Sequence, residues 1–316
     1  MDFLLLFLLS GLVAQSDGFL LFRQNIPKKR AGTSLKMQWG AGTATNKARG
    51  QETAIQTLKN EILQLGAALD RGQAYNPTSG QYYKERMDIA REKVAGLVAL
   101  SKDLPTDLGD ERLAGEWELV WTSVPHGIFR SSPFFLAIQD AYERVGAADK
   151  AELFFKLHEL QTCSWGVSKV GRVAQYIDSA NRLLYSEFDT SLFSLTVIPI
   201  LGWFKLLPTF GGCVVTVSKV ELNGNSLDLE VDYTTFREVE GLPGLGRWVW
   251  DRKIPVKEVW KRLPWNKGTI PKASVKLLFC DESFRVVEDS GGEVFVYTRP
   301  VAPRPPPGVG TAGQAS

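Results

Sequence analysis

The spacing of hydrophobic residues changes once along the chain, from a helical period to a strand period. Between residues 51 and 71, apolar residues recur at alternating intervals of three and four, which predicts an amphipathic helix ending near Gly72. A second helix is predicted over residues 81–101, and Pro105 and Gly109 interrupt the chain after it. Their apolar positions are Ile55, Leu58, Ile62, Leu65 and Leu69 in the first helix and Met87, Ala90, Val94, Leu97 and Val98 in the second.

From Trp117 onward the pattern has period two, as in half-buried β-strands. Strands are predicted over residues 117–122, 169–177, 182–188, 273–280, 284–288 and 293–299, with a hairpin within residues 212–236. The total of about eight strands is the number that closes around either a packed core or one small ligand. Gly115-x-Trp117 is typical of the first strand of lipocalin-like barrels. The predicted fold is therefore mainly β, a lipocalin-like antiparallel barrel preceded by helices.

The hairpin supplies the candidate ligand-binding residues. Asn223-Gly224 is predicted to form its two-residue turn, because a type I′ turn requires positive φ at both positions. In that register one face of the hairpin points into the barrel and carries Thr216, Ser218, Val220, Leu229, Val231 and Tyr233. The two hydroxyl groups have two possible roles, a hydrogen bond to backbone or a contact with the polar head group of a ligand.

A helical insertion is predicted between the first strand and the rest of the barrel. Ser132 and Pro133 suit the N-cap and first position of a helix, and Asp149 suits the start of a continuation. We expect this insertion to act as a lid over the barrel. Its predicted apolar face consists of Phe134, Phe135, Ile138, Tyr142, Val145, Leu153, Leu157 and Leu160.

The composition favours binding over catalysis. The formal net charge is only +2, and the three cysteines are far apart, so neither a global nucleic-acid partner nor a disulfide or zinc framework is predicted. The chain has two histidines, His126 and His158, and no glycine-rich phosphate loop between a strand and a helix. We expect no cofactor, no metal and no enzymatic activity, with a lipid-modifying enzyme as an open alternative.

The N-terminal segments have the composition of targeting signals. Residues 3–14 are an apolar run of signal-peptide length, and residues 17–50 are basic, with Asp17 as their one acid. With Phe19 near their junction, the two segments resemble the bipartite presequences of algae with secondary plastids, and this resemblance implies delivery to a plastid, with simple secretion as the alternative. The predicted organisation is residues 1–16 signal-peptide-like, 17–50 transit-peptide-like, 51–110 helical, 111–299 the barrel domain, and 300–316 a disordered tail.

Two segments combine aromatic and basic residues in a way that suits a membrane surface. Residues 192–210 are too apolar for an ordinary loop, and residues 241–270 interleave tryptophans with lysines and arginines. The predicted docking residues are Trp203, Phe204, Trp248, Trp250, Trp260 and Trp265. The alternatives are burial of these side chains in the core or, for the second segment, binding of single-stranded nucleic acid.

Several segments resemble the plastid lipid-associated protein family, the plastid fibrillins. These are LAGEWELVWTS (residues 113–123), SKVGRVAQYID (168–178) and FCDESFRVVEDSGGEVFVYTR (279–299), and the resemblance extends over residues 51–299. It implies a lipocalin-like barrel on the thylakoid or plastoglobule surface that binds carotenoids, quinones or other lipids. The partners expected are therefore membrane lipids and apolar small molecules, with peripheral membrane contact and no nucleic acid. A coat protein whose barrel is filled by its own side chains is the alternative.

Overall fold

The computed structural model describes residues 44–73, 80–124, 127–162, 168–192, 197–198, 204–205, 210–237, 253–262 and 268–306. The predictions for the presequence lie outside these residues, apart from the end of the transit-like segment. The chain divides into two compact units between Ala54 and Ile55. Of the first unit the structure describes residues 44–54, which form the N-terminal part of helix α1. All other described elements belong to the second unit.

The predicted helices are present, with small changes in their bounds. The two N-terminal helices are α1 (Ala44–Ala68) and α2 (Gln81–Ala99), and a short 3-10 turn (Asp70–Gly72) follows α1. After the first strand come α3 (Gly127–Arg130), α4 (Pro133–Arg144) and α5 (Ala148–Thr162). A short helix, α6 (Val256–Arg262), lies between the seventh and eighth strands.

Eight antiparallel strands close in a ring, in the order β1-β10-β9-β8-β7-β6-β3-β2. This confirms the predicted fold class. The pair β4 and β5 forms a separate two-stranded sheet within the apolar segment 192–210. The strands are β1 (Gly115–Thr122), β2 (Ser168–Asp178), β3 (Leu183–Leu192), β4 (Val197–Ile198), β5 (Phe204–Lys205), β6 (Phe210–Asn223), β7 (Ser226–Arg237), β8 (Lys272–Cys280), β9 (Phe284–Glu288) and β10 (Val294–Thr298).

The ring has two distinct ends. At the lower end β1 begins and β10 ends, and at the upper end β1 ends and β10 begins. Helices α3 and α4 follow β1 directly, so they lie at the upper end, where α4 packs mainly against β8 and β7. The Arg144 guanidinium at the end of α4 donates to the carbonyl of Lys272, the first residue of β8 (3.5 Å). The helical insertion thus covers the upper end, as the lid hypothesis requires.

Helices α1 and α2 lie on the outside of the ring. Buried apolar side chains of both helices, including Ile62, Met87 and Leu97, form one cluster with the outward-facing side chains Trp121 and Phe284. This contact removes the outer apolar face of β9 and β10 from water and so stabilises the domain. The two helices are therefore amphipathic because their apolar faces pack against the outside of the barrel.

The register of the β6–β7 hairpin differs from the prediction. Asn223 pairs with Ser226, so the turn consists of Gly224 and Asn225 instead of Asn223 and Gly224. From Ser218 to Asn223 the partner of each β6 residue is shifted by two positions, which leaves the inward-facing residues of the first part of β7 unchanged. A bulge between Val231 and Tyr233 then reverses the alternation. Tyr233 consequently faces outward, and its prediction as an interior residue is wrong.

The helical insertion is also packed differently from its predicted apolar face. Val145 is 74% exposed and Leu153 is 51% exposed, whereas Ala151, Phe154 and Phe155 are buried. The prediction for Val145 and Leu153 is wrong because a glycine turn separates α4 and α5 after Val145, so that one periodicity does not extend through both helices. The side chains of Leu157 and Leu160 lie outside the described part.

The C-terminal tail is ordered for longer than predicted. The Arg304 guanidinium donates to both carboxylate oxygens of Asp189 (2.8 and 2.6 Å), and its backbone N–H donates to Glu116 (2.7 Å). The Arg237 guanidinium donates to the carbonyl of Pro305 (3.2 Å). The prediction of a disordered tail is therefore wrong for residues 300–306.

Substituting Gly66 is expected to weaken the contact between α1 and β1. A Cβ at Gly66 would lie 2.4 Å from the carbonyl oxygen of Val120, so the backbones must separate. We expect Gly66→Ala to lower the free energy of unfolding by about 1–3 kcal/mol, measured by urea denaturation. The control is Gly96→Ala in α2, whose Cβ would make an ordinary contact at 3.8 Å with Leu58. It should be neutral or stabilising by up to about 1 kcal/mol; equal stability of both variants would contradict the close approach.

Candidate ligand-binding site inside the barrel

Trp117 and Arg299 close the lower end of the barrel. The Trp117 indole is fully buried, and its Nε1 donates to the carbonyl of Leu113 (2.9 Å). The Arg299 guanidinium lies 3.9 Å from the centre of the Trp117 ring and donates to the carbonyls of Ala114 (2.5 Å) and Arg112 (3.0 Å). The Gly115-x-Trp117 motif thus places a tryptophan at one end of the barrel, where the indole closes the interior.

Arg285 places a charged side chain inside the barrel, just above this plug. Its neighbours Phe284 and Val286 face outward against α1 and α2, so Arg285 and Val287 face inward. Arg285 is 1% exposed. Its guanidinium carbon lies 4.4 Å from the centre of the Tyr297 ring and 5.1 Å from that of Trp117. Two cation–π contacts thus stabilise the charge where water is excluded.

Only part of the Arg285 guanidinium is hydrogen-bonded. Its Nη2 donates to Oε1 of Gln175, whereas Nε and Nη1 have no acceptor among the described residues. Burial lowers the pKa of Arg285 to about 10, so the side chain still carries its proton at neutral pH. Burial also raises the pKa of Tyr297 to about 12 and that of Cys280 to about 11, so both neighbours are neutral. Within the described structure, the groups that influence the pKa of Arg285 include no carboxyl group.

Gln175 on β2 links Arg285 to the helical insertion. Its amide nitrogen donates to the carbonyl of Ser131 (3.0 Å) and to the Tyr297 hydroxyl (3.1 Å), while its oxygen accepts from Arg285. Ser131 lies at the junction of α3 and α4, and its own hydroxyl donates to the carbonyl of Ile128 (2.8 Å). The amide orientation is fixed from three sides, so Gln175 holds the guanidinium in place.

A small cavity lies beside these polar groups. Its volume is about 10 Å³, the lower limit for holding one water molecule. Leu136 of α4 contributes to its wall, so the helical insertion reaches into the barrel. The cavity is lined on its polar side by Arg285, Gln175, Tyr297 and Ser131, and elsewhere by Leu136, Leu184, Leu227, Leu229, Val275, Val287 and Phe295. Around these polar groups the interior is therefore almost completely filled by side chains.

The predicted ligand-binding residues occupy the opposite wall of the barrel. Thr216, Ser218, Val220, Leu229 and Val231 are all buried, and Leu229 lines the cavity. The Thr216 hydroxyl lies 3.4 Å from that of Thr234. The hydroxyls of Ser218 and of Ser186, which pairs with Thr216 across strands β3 and β6, have no partner within the described part of the chain. This wall therefore carries four hydroxyl groups, two of them unpaired.

Tyr233 lies away from this wall. It packs with Leu183 and Tyr185 against an outer cluster, and the Lys253 ammonium lies 4.7 Å from the centre of its ring. The bulge in β7 is the physical reason, since one extra residue moves every later side chain to the other face.

Hydrogen bonds to the β9–β10 turn hold α4 over the upper end. The Ser290 hydroxyl lies 2.6 Å from a carboxylate oxygen of Asp140 and 2.9 Å from one of Glu143. The Arg130 guanidinium donates to the Gln139 oxygen (2.7 Å) and lies 3.7 Å from the Asp289 carboxylate. We call Asp140, Glu143 and Ser290 the upper latch. Ser290 is exposed and the carboxylates of Asp140 and Glu143 are half-buried, so the latch holds α4 by polar contacts at the surface that water can replace.

Of the predicted docking residues, Trp260 is not available at the surface. It is 5% exposed and packs edge-to-face against Phe134, with 6.3 Å between the ring centres. Its proposed place in a docking surface is corrected here: α6 turns this indole onto α4. Phe204 lies in β5, with its side chain outside the described part, and Trp203, Trp248, Trp250 and Trp265 also lie outside it.

The groups able to support catalysis are few in the described structure. Burial raises the pKa of the Cys213 thiol well above its usual value, as it does that of Cys280, so neither thiol is activated as a nucleophile. His126 and the side chain of His158 lie outside the described residues. No group of His, Cys, Asp or Glu in the described ranges has a metal-binding arrangement. In the same ranges, no helix is long and apolar enough to cross a membrane.

No protein-family model, curated protein or solved structure matches this chain. The site is therefore defined by its own geometry. The sequence pattern predicted two of the four hydroxyl groups on this wall, those of Thr216 and Ser218, and no binding role was assigned to Arg285, Gln175 or Tyr297. The available signal was an arginine at an alternate position of the otherwise apolar strand Phe284–Val287.

Removing the planar guanidinium of Arg299 is expected to open the lower end. We expect Arg299→Lys to lower the free energy of unfolding by about 2 kcal/mol, because an ammonium cannot donate to several carbonyls while stacking on Trp117. Urea denaturation followed by tryptophan fluorescence measures the change. Arg182→Met, at a side chain that is 64% exposed, is the control and should change stability by less than about 0.5 kcal/mol. If Arg299→Lys were as stable as the wild type, a positive charge at this position would be sufficient to stabilise the lower end, and the planar guanidinium would not be required.

Proposed function

We propose that this protein binds apolar small molecules inside the barrel and docks reversibly on a membrane surface with its upper end. The single observation that carries the binding role is Arg285. A buried guanidinium with two unpaired nitrogens costs several kcal/mol relative to a well-packed apolar residue of similar volume. A barrel that serves only as a scaffold gains nothing from a buried charge. A barrel that binds a ligand can use the charge to orient the polar group of that ligand.

The second candidate function is a structural coat protein with a filled barrel. It is favoured by the cavity volume of about 10 Å³, which no pigment or lipid can enter without a change in the protein. The two functions thus differ in whether the side chains that fill the barrel can move out to make room for a ligand. In the binding function the filling at the upper end is α4, through Leu136 and its buried neighbours Phe135 and Ile138.

Displacement of α4 opens the upper end of the barrel to the ligand. It also frees the space inside the barrel that the side chains of α4 had occupied. The upper latch consists of polar contacts between the exposed Ser290 and two half-buried carboxylates, and breaking them exposes the apolar side chains of α4. A membrane surface can receive those side chains, whereas water cannot without a large cost. Docking and opening are therefore coupled in this proposal.

The chain topology supports docking through the same end. Strand β3 ends at Leu192 and β6 begins at Phe210, and both positions lie at the upper end. Strand β7 also ends there, at Arg237. The segments carrying Trp203, Trp248 and Trp250 thus leave the barrel at the end that α4 covers. Carotenoids, quinones and lipids of a plastid membrane are the ligands that the resemblance to plastid fibrillins implies.

Locking α4 is expected to abolish ligand binding. Asp140→Cys and Ser290→Cys place two thiols at positions whose side chains now touch at 2.6 Å, in a background with Cys163→Ser. Bridging them, by a disulfide or a very short bifunctional reagent, should prevent uptake of a neutral fluorescent apolar probe. Reduction of the disulfide should restore it, which makes the reduced protein its own control. Undiminished uptake by the bridged protein would contradict entry past α4, and no uptake by either wild type or reduced protein would favour the coat function.

Docking is expected to depend on the tryptophans of the upper-end segments. We expect the double substitution Trp248→Ala and Trp250→Ala to reduce co-sedimentation with anionic liposomes about tenfold or more, because each indole contributes on the order of 2 kcal/mol at the interface. Val301→Ala is the control, since Val301 is a fully exposed apolar residue that follows β10 at the lower end. Equal loss in both variants, or none in either, would refute docking through these residues.

A further inference from the structure

We infer that the preferred ligand is a long-chain carboxylic acid whose carboxylate binds Arg285, with its chain directed toward the upper end. This inference rests on the proposed function and specifies its ligand. It starts from the charge of Arg285, which the barrel leaves uncompensated. Buried charges in folded proteins are normally paired, and a ligand carboxylate would supply the missing negative charge.

The donors needed to bind a carboxylate are already in place. Nε and Nη1 of Arg285 are unpaired, and the third nitrogen is held by Gln175, so the group is positioned before any ligand arrives. Gln175 is itself fixed by Ser131 and Tyr297. Hydrogen bonds from a charged donor to a charged acceptor are about twice as strong as those between neutral groups.

The number of charges at the site favours one negative charge over two. Arg285 is the one buried cation lining the cavity, and its described neighbours Tyr297 and Cys280 are neutral at physiological pH. Arg299 lies on the far side of Trp117, where its donors are already used by backbone carbonyls. A single carboxylate neutralises Arg285, whereas a dianionic phosphate would leave a buried negative charge.

The remaining walls define the rest of the ligand. Apart from Arg285, Gln175, Tyr297 and Ser131, the cavity-lining residues are apolar; they include Leu184, Leu227, Leu229, Val275 and Phe295. Arg285 lies near the closed lower end, so a bound molecule must enter with its acid group first. An acid at a membrane surface already has its head group in water and its chain in lipid, the orientation in which it would enter the docked barrel.

A displacement experiment on the full chain tests the inference. A neutral fluorescent probe is bound, then displaced at pH 8 by oleic acid, oleyl alcohol or methyl oleate, each below its aggregation concentration. We expect the acid to bind about tenfold to a hundredfold more tightly than the alcohol or the ester, as one charge-assisted contact predicts. The measurement on the wild type decides the question even if variants fail to fold.

The variant Arg285→Met should remove that preference, so that the acid and the ester bind it with equal affinity. Arg182→Met, which removes an exposed arginine, should keep the preference. Equal affinity of acid and ester in the wild type, or an acid preference that persists in Arg285→Met, would overturn the inference and leave the proposed function standing. Tighter binding of oleyl phosphate than of oleic acid would overturn the choice of carboxylate. Failure of the probe and all four ligands to bind would refute the proposed function itself.

Discussion

The closure of the ring by β1 and β10 is the constraint on which the rest of the structure depends. These strands are about 180 residues apart in sequence, yet Glu118 pairs with Thr298 and Leu119 with Tyr297. Their pairing brings Trp117 between Arg285 on its inner side and Arg299 on its outer side. Closure therefore creates the sealed end, removes the exposed sheet edge and isolates a positive charge from water in a single step.

The barrel and its helices could be predicted because their signals are local. Alternation along β7 and the three-and-four spacing of α1 are visible in the sequence without knowledge of any distant residue. The orientation of Tyr233 could not be predicted, because it depends on a bulge that exists only when β6 pairs with β7. The burial of Arg285 depends on α1 and α2, which cover the outer face of β9 and so force its alternate side chain inward.

Stability and ligand binding make opposite demands on the helical insertion. Side chains of α4 pack into the barrel and complete a core that would otherwise contain a void, and filling such a void stabilises a domain. The same packing excludes a ligand. A helix that is joined to the barrel wall by hydroxyl–carboxylate contacts satisfies both demands, because the apolar part stabilises the closed state and the polar part exchanges with water readily.

The short C-terminal extension has a practical consequence for work with the isolated domain. Arg304 neutralises Asp189, a side chain that is only 12% exposed, and its amide satisfies Glu116. A chain shortened after Arg299 would leave the Asp189 carboxylate without the guanidinium that binds both of its oxygens. Recombinant boundaries and affinity tags are therefore best placed beyond residue 306, where they leave the contacts of Arg304 with Asp189 and Glu116 intact.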